Sequence, residues 1–253
     1  MQLRSTQIGT GRPKVVVPVV AKTQKEIFTD THLMVIAGAE LVEWRADFFE
    51  ELPSNQSVLE VLKGLREIIG DLPLIFTVRT RHEGGQADIT DSDYSALILF
   101  VSQTQLVDLI DVELFRCEGS IPDLVKKIHS HNSRVIMSNH DFQATPLEDE
   151  IVARLRLMQA YGGDVLKMAV MPDSSIDVLT LLSATNKMAT ETDKPIVTMS
   201  MGKLGVISRI AGEIFHSSLT FGTVGKGSAP GQIAIDQLKQ CLDTIHTSQS
   251  TGQ

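Results

Sequence analysis

The feature that most constrains this chain is a recurrence. Eight short runs of Val, Ile and Leu begin near Val15, Leu41, Leu74, Leu109, Arg134, Val165, Ile196 and Leu219. From 15 to 219 is 204 residues over seven intervals, about 29 per unit, the length of one strand–helix unit. The runs are nearly continuous in apolar residues rather than alternating, as in parallel strands covered on both faces. Eight such units in 253 residues predict one (β/α)8 TIM barrel spanning 1–253, a fold that takes roughly 250 residues for a single core. The alternative is an open doubly wound sheet, which wants a glycine-rich turn after its first strand. Here strand one runs into Ala21-Lys22-Thr23-Gln24, with no glycine.

The stretches between the runs carry helix signals. Ser120-Ile121-Pro122 predicts a serine cap with an early proline. Pro146 to Tyr161 and Ser174 to Met188 have apolar residues three and four apart, and Gly162-Gly163 reads as a stop. Residues 1–14 are expected to form a small hairpin closing the barrel floor. The polar tail from about His246 to Gln253 is expected to be flexible.

A net charge of −8 argues against a nucleic-acid partner, which would want a basic face. No apolar run approaches the roughly 18 residues of a membrane span, and the first 14 residues lack the apolar centre of a signal peptide. The two cysteines, Cys117 and Cys241, are far apart and form no ligand spacing with histidine, so no metal is expected. A cytoplasmic protein is the resulting expectation.

In a barrel of this kind, chemistry belongs at the C-terminal ends of the strands and in the loops that follow. Lys167 lies inside Val-Leu-Lys-Met-Ala-Val-Met, where a lysine is rare. Burial disfavours its ammonium form, and a neutral amine attacks a carbonyl to form an imine. The plain alternative is a lysine paired with a neighbouring carboxylate. His140 ends the adjacent run, within reach of the same pocket and suited to acid and base work in turn; alternation sends Asp141 to the opposite face. Glu83, in the loop Thr80-Arg81-His82-Glu83-Gly84-Gly85, is placed to orient His140 if it faces inward. Glu43 and Arg45 are two apart on one face of run two, and Arg79 ends run three; they read as a salt-bridge layer, as hydroxyl ligands, or as both. Arg209 falls in the first turns of the helix after run seven, aimed at the mouth, where a guanidinium suits a carboxylate. After run eight, four glycines in ten residues (222–231) predict a mobile lid. Pro230 is expected to start a helix with Ser228 and Gln232 at its N-terminus.

These segments together resemble the type I 3-dehydroquinate dehydratases. The matching stretches are Glu43-Trp44-Arg45-Ala46-Asp47, Phe76-Thr77-Val78-Arg79 with Glu83-Gly84-Gly85, Ser138-Asn139-His140-Asp141-Phe142, Asp164 to Pro172, Thr198 to Arg209, and Ser228-Ala229-Pro230-Gly231-Gln232. The resemblance implies dehydration of 3-dehydroquinate to 3-dehydroshikimate, in the shikimate route to aromatic amino acids and chorismate, through a Schiff base. Lys167 would form the imine at the C3 ketone. His140 would remove a C2 proton and then help expel the C1 hydroxyl as water, with Glu83 as its partner. Arg209 would clamp the carboxylate, with Ser228 and Gln232 as lid contacts. Glu43, Arg45 and Arg79 would hold ring hydroxyls, and Met201 and Phe221 would pack around the ring. No cofactor is implied, and a homodimer is. Pro18 departs from the serine many relatives carry in strand one, and Leu204 stands where some have an acidic residue. Two rivals stand beside this: a class I aldolase, which also forms a lysine imine but breaks a C–C bond, and a non-catalytic ligand-binding barrel.

Overall fold

Eight parallel strands lie where the apolar runs fall. The computed structural model describes every residue except Pro53, Glu118, 226–228 and 251–253. A two-residue hairpin comes first, β1 (Gln2–Leu3) against β2 (Thr6–Gln7). Then follow β3 (Lys14–Val19), α1 (Gln24–Ile36), β4 (Leu41–Arg45), α2 (Asn55–Ile69), β5 (Leu74–Thr77), α3 (Asp91–Thr104), β6 (Leu109–Glu113) and α4 (Ile121–Ser130). The second half runs β7 (Arg134–Asp141), α5 (Glu148–Ala160), β8 (Val165–Val170), α6 (Ser175–Ala189), β9 (Ile196–Ser200), α7 (Val206–Ile210), α8 (Gly212–Phe215), β10 (Leu219–Thr223), β11 (Ile233–Ala234) and α9 (Ile235–Ser250).

The sheet order is β11-β10-β3-β4-β5-β6-β7-β8-β9, every pair parallel. β9 and β10 close the barrel more sparingly. Ser218 N donates to Ile196 O at 2.7 Å, and Thr198 N donates to the Ser217 hydroxyl at 3.1 Å, so a side chain completes the seam. Pro18 has a consequence for the neighbouring joint. Lys14 N donates to Ser218 O, so alternate β3 residues from Lys14 face β10. That ladder ends at Phe221 opposite Val16, since Pro18 has no N–H to continue it. Just past that point β10 pairs with β11, at Gly222 and Thr223.

Two apolar cores result. The outer one packs the strands against the helices, with Trp44 edge-on to Phe76 and Phe49 at 5.5 and 5.9 Å between ring centroids. The inner one fills the lower barrel with Val16, Leu41, Ile75, Leu109, Ile136 and Val165. Leu3 and the fully buried Ile8 of the N-terminal segment join it from below. The expected floor-closing hairpin is therefore present. Two residues further along β4 to β8, the same inward face turns polar, at Glu43, Thr77, Asp111, Ser138 and Lys167.

Several boundaries differ from the sequence reading, each for a local reason. Ser120 does cap α4, with Pro122 in the first turn, but its hydroxyl gives no capping bond; it donates to Cys117 O at 2.8 Å instead. Ser174 caps α6 through a reciprocal box with Asp177. No helix starts at Pro230. The chain first completes the β10–β11 ladder, and α9 begins at Ile235. Gly231 turns there at φ +77°, so close to the Gly202 carbonyl that a Cβ would meet its oxygen at 2.3 Å. The tail expected to be loose from His246 is helical as far as Ser250.

Candidate active site

Alternation along the strands aims one face of each into the barrel. Above the apolar floor that face carries Glu43, Thr77, Asp111, Ser138, Lys167 and Phe221, all buried. One step higher come Arg45, Arg79, Glu113 and His140, at the C-terminal rim where barrel chemistry resides. A cavity opens on Glu43, Arg45, Arg79, His140, Lys167, Met199, Arg209, Phe221 and Gln232. The structure thus brings eight of the eleven residues singled out in the sequence to one wall. Of the other three, Met201 is buried in the same inner cluster, while Met199 lines the cavity. Glu83 stands behind His140. Ser228 lies outside the described residues, as does the middle of the expected lid.

Lys167 is 4% exposed. The amine is not bare. Its Nζ lies 3.2 Å from Asp111 Oδ2 and 3.5 Å from Glu43 Oε1, with the Phe221 ring centroid 4.7 Å away on another side. The carboxylate-paired alternative of the sequence analysis describes this amine, which sits in a cage of two carboxylates and one aromatic face. These contacts span up to 124 residues of sequence.

His140 donates or accepts through Nδ1 to Glu83 Oε2 at 2.8 Å, which leaves Nε2 for the cavity. Glu83 also accepts from His140 N at 3.0 Å, Asn139 Nδ2 at 3.0 Å and Arg79 Nη1 at 3.2 Å. Three N–H groups around one carboxyl favour its ionised form, and an ionised Glu83 favours the Nδ1–H tautomer of His140. Burial opposes this and pushes Glu83 up to about 8, against the pull of Arg79. Burial first, then the positive charges of Arg79, Lys167 and Arg45, hold His140 well below the usual histidine range. The imidazole is therefore a neutral base at rest, and its working tautomer gains population as Glu83 loses its proton.

Arg79 is the hub of the rim. Its Nη1 reaches Glu113 (2.9 Å), Ser138 (3.0 Å) and Glu83, and its Nη2 reaches Asp111 (2.8 Å). Arg45 forms a bidentate pair with Asp47, both bonds at 2.8 Å, and stacks on Phe48 at 5.1 Å. The salt-bridge reading of this layer thus holds while Glu43, Arg45 and Arg79 also face the cavity.

Arg209 differs in kind. It is 1% exposed, Nη2 donates to Pro230 O at 3.0 Å, and Nε has no hydrogen-bond partner. No carboxylate among the described residues pairs with it. Burial alone lowers it to about 10. A desolvated guanidinium without a counter-ion, at a cavity wall, is a site for an anion.

The sequence reading missed Asp111, Glu113, Ser138, Asn139 and Met199. A signal for two of them was present. Leu109-Ile-Asp-Val-Glu places two acids two apart in an apolar run, the pattern that marked Glu43 and Arg45. Among the described residues no group of three or more His, Cys, Asp and Glu side chains is arranged to hold a metal ion.

Comparison with known proteins follows the same lines. The family described as Type I 3-dehydroquinase matches residues 15–249. The 3-dehydroquinate dehydratase of Bacillus subtilis is 42% identical over 247 residues, 97% of each chain. The crystal structure of Type I 3-dehydroquinate dehydratase from Clostridium difficile, with covalent modified comenic acid, superposes with a TM-score of 0.94 at 47% identity, covering 98% of both chains. That of the Geobacillus kaustophilus 3-dehydroquinate dehydratase gives 0.95 at 35% identity, covering 98% of this chain and 96% of its own.

Proposed function

The chain belongs to the type I 3-dehydroquinase family, and on that premise we propose that Lys167, His140 and Glu83 carry the reaction, with Arg209 holding the substrate carboxylate. The reaction itself is that of the family: a hydro-lyase removes water from 3-dehydroquinate to give 3-dehydroshikimate, through a lysine Schiff base. The observation that supports Lys167 most is its place, a buried amine on the inner face of β8 beside a base on β7.

An amine paired with carboxylates is still competent. Written overall, the lysine ammonium and the C3 ketone give a protonated imine and water, with no net change of charge. A transient proton transfer to a neighbouring group frees the amine to attack, and that proton leaves on the departing water. The protonated imine then draws electrons from the C2–H bond. His140 Nε2 takes that proton, and the resulting imidazolium, steadied by Glu83, returns it to the C1 hydroxyl as it departs. Hydrolysis releases the product and Lys167. The cavity also supports Glu43, Arg45 and Arg79 as ring-hydroxyl contacts, Gln232 as a lid contact, Phe221 and Met199 as ring packing, and Met201 behind them. Ser228 belongs to this reading by resemblance alone.

Two expected results test the assignments. The rate should rise with pH as the Glu83–His140 pair loses its proton, levelling only near or above pH 8, where Glu83 titrates. Proton loss makes the working form, so activity is lost as pH falls through that window. In Glu83→Gln the rate should drop roughly 10- to 100-fold, and its limb should move to lower pH, leaving only the depressed His140 to titrate. A limb that stays put in the glutamine variant removes Glu83 from this role.

Arg209→Met should raise KM by roughly 30- to 1000-fold, the equivalent of about 2–4 kcal/mol for a desolvated charge pair. The same variant should keep or raise its thermal midpoint, because it removes a buried charge with no counter-ion in the free protein. Steady-state kinetics and a melting curve on one preparation read both. A lowered midpoint with unchanged KM would assign Arg209 to the scaffold instead.

We further read the protein as a cytoplasmic homodimer that engages neither nucleic acid nor membrane. The acidic balance and two unpaired thiols, Cys117 buried and Cys241 exposed, support the compartment. Ile176 and Leu179, exposed side by side on α6, support a self-association face. Light scattering of the purified chain gives its mass directly.

A further inference from the structure

Taking Lys167 as the imine-forming amine, on which this inference rests, we propose that Asp111 is the fixed counter-ion of the reacting nitrogen, pairing the ammonium before reaction and the protonated imine after it. Two carboxylates touch Nζ, and they are not equivalent. Glu43 Oε1 is 3.5 Å away, shares that oxygen with the Thr77 hydroxyl at 2.9 Å, and opens onto the substrate cavity. Asp111 is closer, at 3.2 Å, and is not part of the cavity wall. Its other oxygen is pinned by Ser138 Oγ at 2.6 Å and Arg79 Nη2 at 2.8 Å, which presents Oδ2 to Nζ in one orientation. An incoming ring competes for Glu43 but leaves Asp111 in place.

Chemistry gives that pairing a purpose. Condensation replaces one cation by another at the same nitrogen, so an anion held beside it stabilises both. Although burial pushes the carboxyl of Asp111 up, Arg79 and Lys167 outweigh it and hold Asp111 below the usual carboxylate range. It stays an anion while protons move around it. Other charged and titratable groups face this pair. Glu43 and Arg45 come from β4, and Arg79 and Glu83 from the segment that follows β5. Glu113 comes from β6, His140 from β7, Arg209 from α7 and Tyr94 from α3. Of all these, only Glu43 besides Asp111 lies within ion-pair distance of Nζ.

The test is reductive trapping of the imine by cyanoborohydride with 3-dehydroquinate across a pH series, read as mass added to the intact chain. In Asp111→Asn the midpoint for trapping should move to lower pH by about one to three units, because the cation loses an adjacent anion. A residue that only braced the barrel would reduce the folded fraction without moving that midpoint. Ser138→Ala provides a milder second variant. Loss of its hydroxyl donor makes Asp111 a stronger partner, so the midpoint should move the other way, by about half a unit. Wild-type trapping with both midpoints unmoved overturns the counter-ion role. If Asp111→Asn does not fold, an unmoved Ser138→Ala midpoint does so alone. A wild-type chain that traps nothing overturns the reading of Lys167 itself.

Discussion

Turnover of 3-dehydroquinate by Lys167→Ala is expected to fall by roughly 10⁵-fold or more, the order seen when a covalent nucleophile is deleted from its constellation. Substrate binding should survive in part, since Arg209 and the rim are untouched. The variant should also be less stable. It strands the buried Glu43 without its cation and leaves Asp111 with Arg79 alone, and breaking a buried pair from one side costs about 3–5 kcal/mol. The comparison is therefore made on protein shown to be folded by its melting curve, well below its midpoint. Lys167→Met, which fills the volume, should be equally inactive. Residual turnover within 100-fold of wild type in either variant contradicts covalent catalysis at this position.

His140→Ala separates the steps. Imine formation does not need the imidazole as its nucleophile, so the variant should still acquire substrate mass on reduction. Elimination does need it, and kcat should fall roughly 10²- to 10⁴-fold, the usual contribution of a positioned acid–base group. Substrate should then accumulate as imine, so that a larger fraction of the variant than of the wild type is trapped at steady state. Normal turnover in His140→Ala would remove that residue from the mechanism, and loss of trapping would place its role before the imine.

How much of this was legible in the chain depends on the range of the interaction concerned. The strands were legible because a buried parallel strand must be apolar on both faces, and the runs at Val15, Leu74 and Val165 are. Lys167 and His140 stood out for the converse reason, as polar groups at positions where packing gives them no place. The partners of those groups were not legible. Asp111 lies 56 residues from Lys167, and Arg79 meets Ser138 across 59; closure of the barrel makes both contacts, and local spacing carries no trace of it. Glu83 was visible only as a loop acid until three nitrogens from β7, those of Asn139 and His140, were seen to converge on it. The start of α9 was misplaced for a related reason. Pro230 is a fair helix opener by itself, but the two-residue ladder to β10 overrides it. α9 runs on to Ser250, and the side-chain hydroxyls of Thr247 and Ser248 donate to carbonyls four residues back.

A covalent bond between the Lys167 nitrogen and the ketone carbon adds mass to one peptide, which reads it without an intermediary. Wild-type protein is incubated with 3-dehydroquinate, reduced with borohydride, digested, and the modified peptide sequenced by fragmentation. A single adduct is expected on the side chain of Lys167, and none when substrate is omitted. An unmodified Lys167 peptide, or an adduct confined to another lysine such as Lys203 or Lys14, would contradict it.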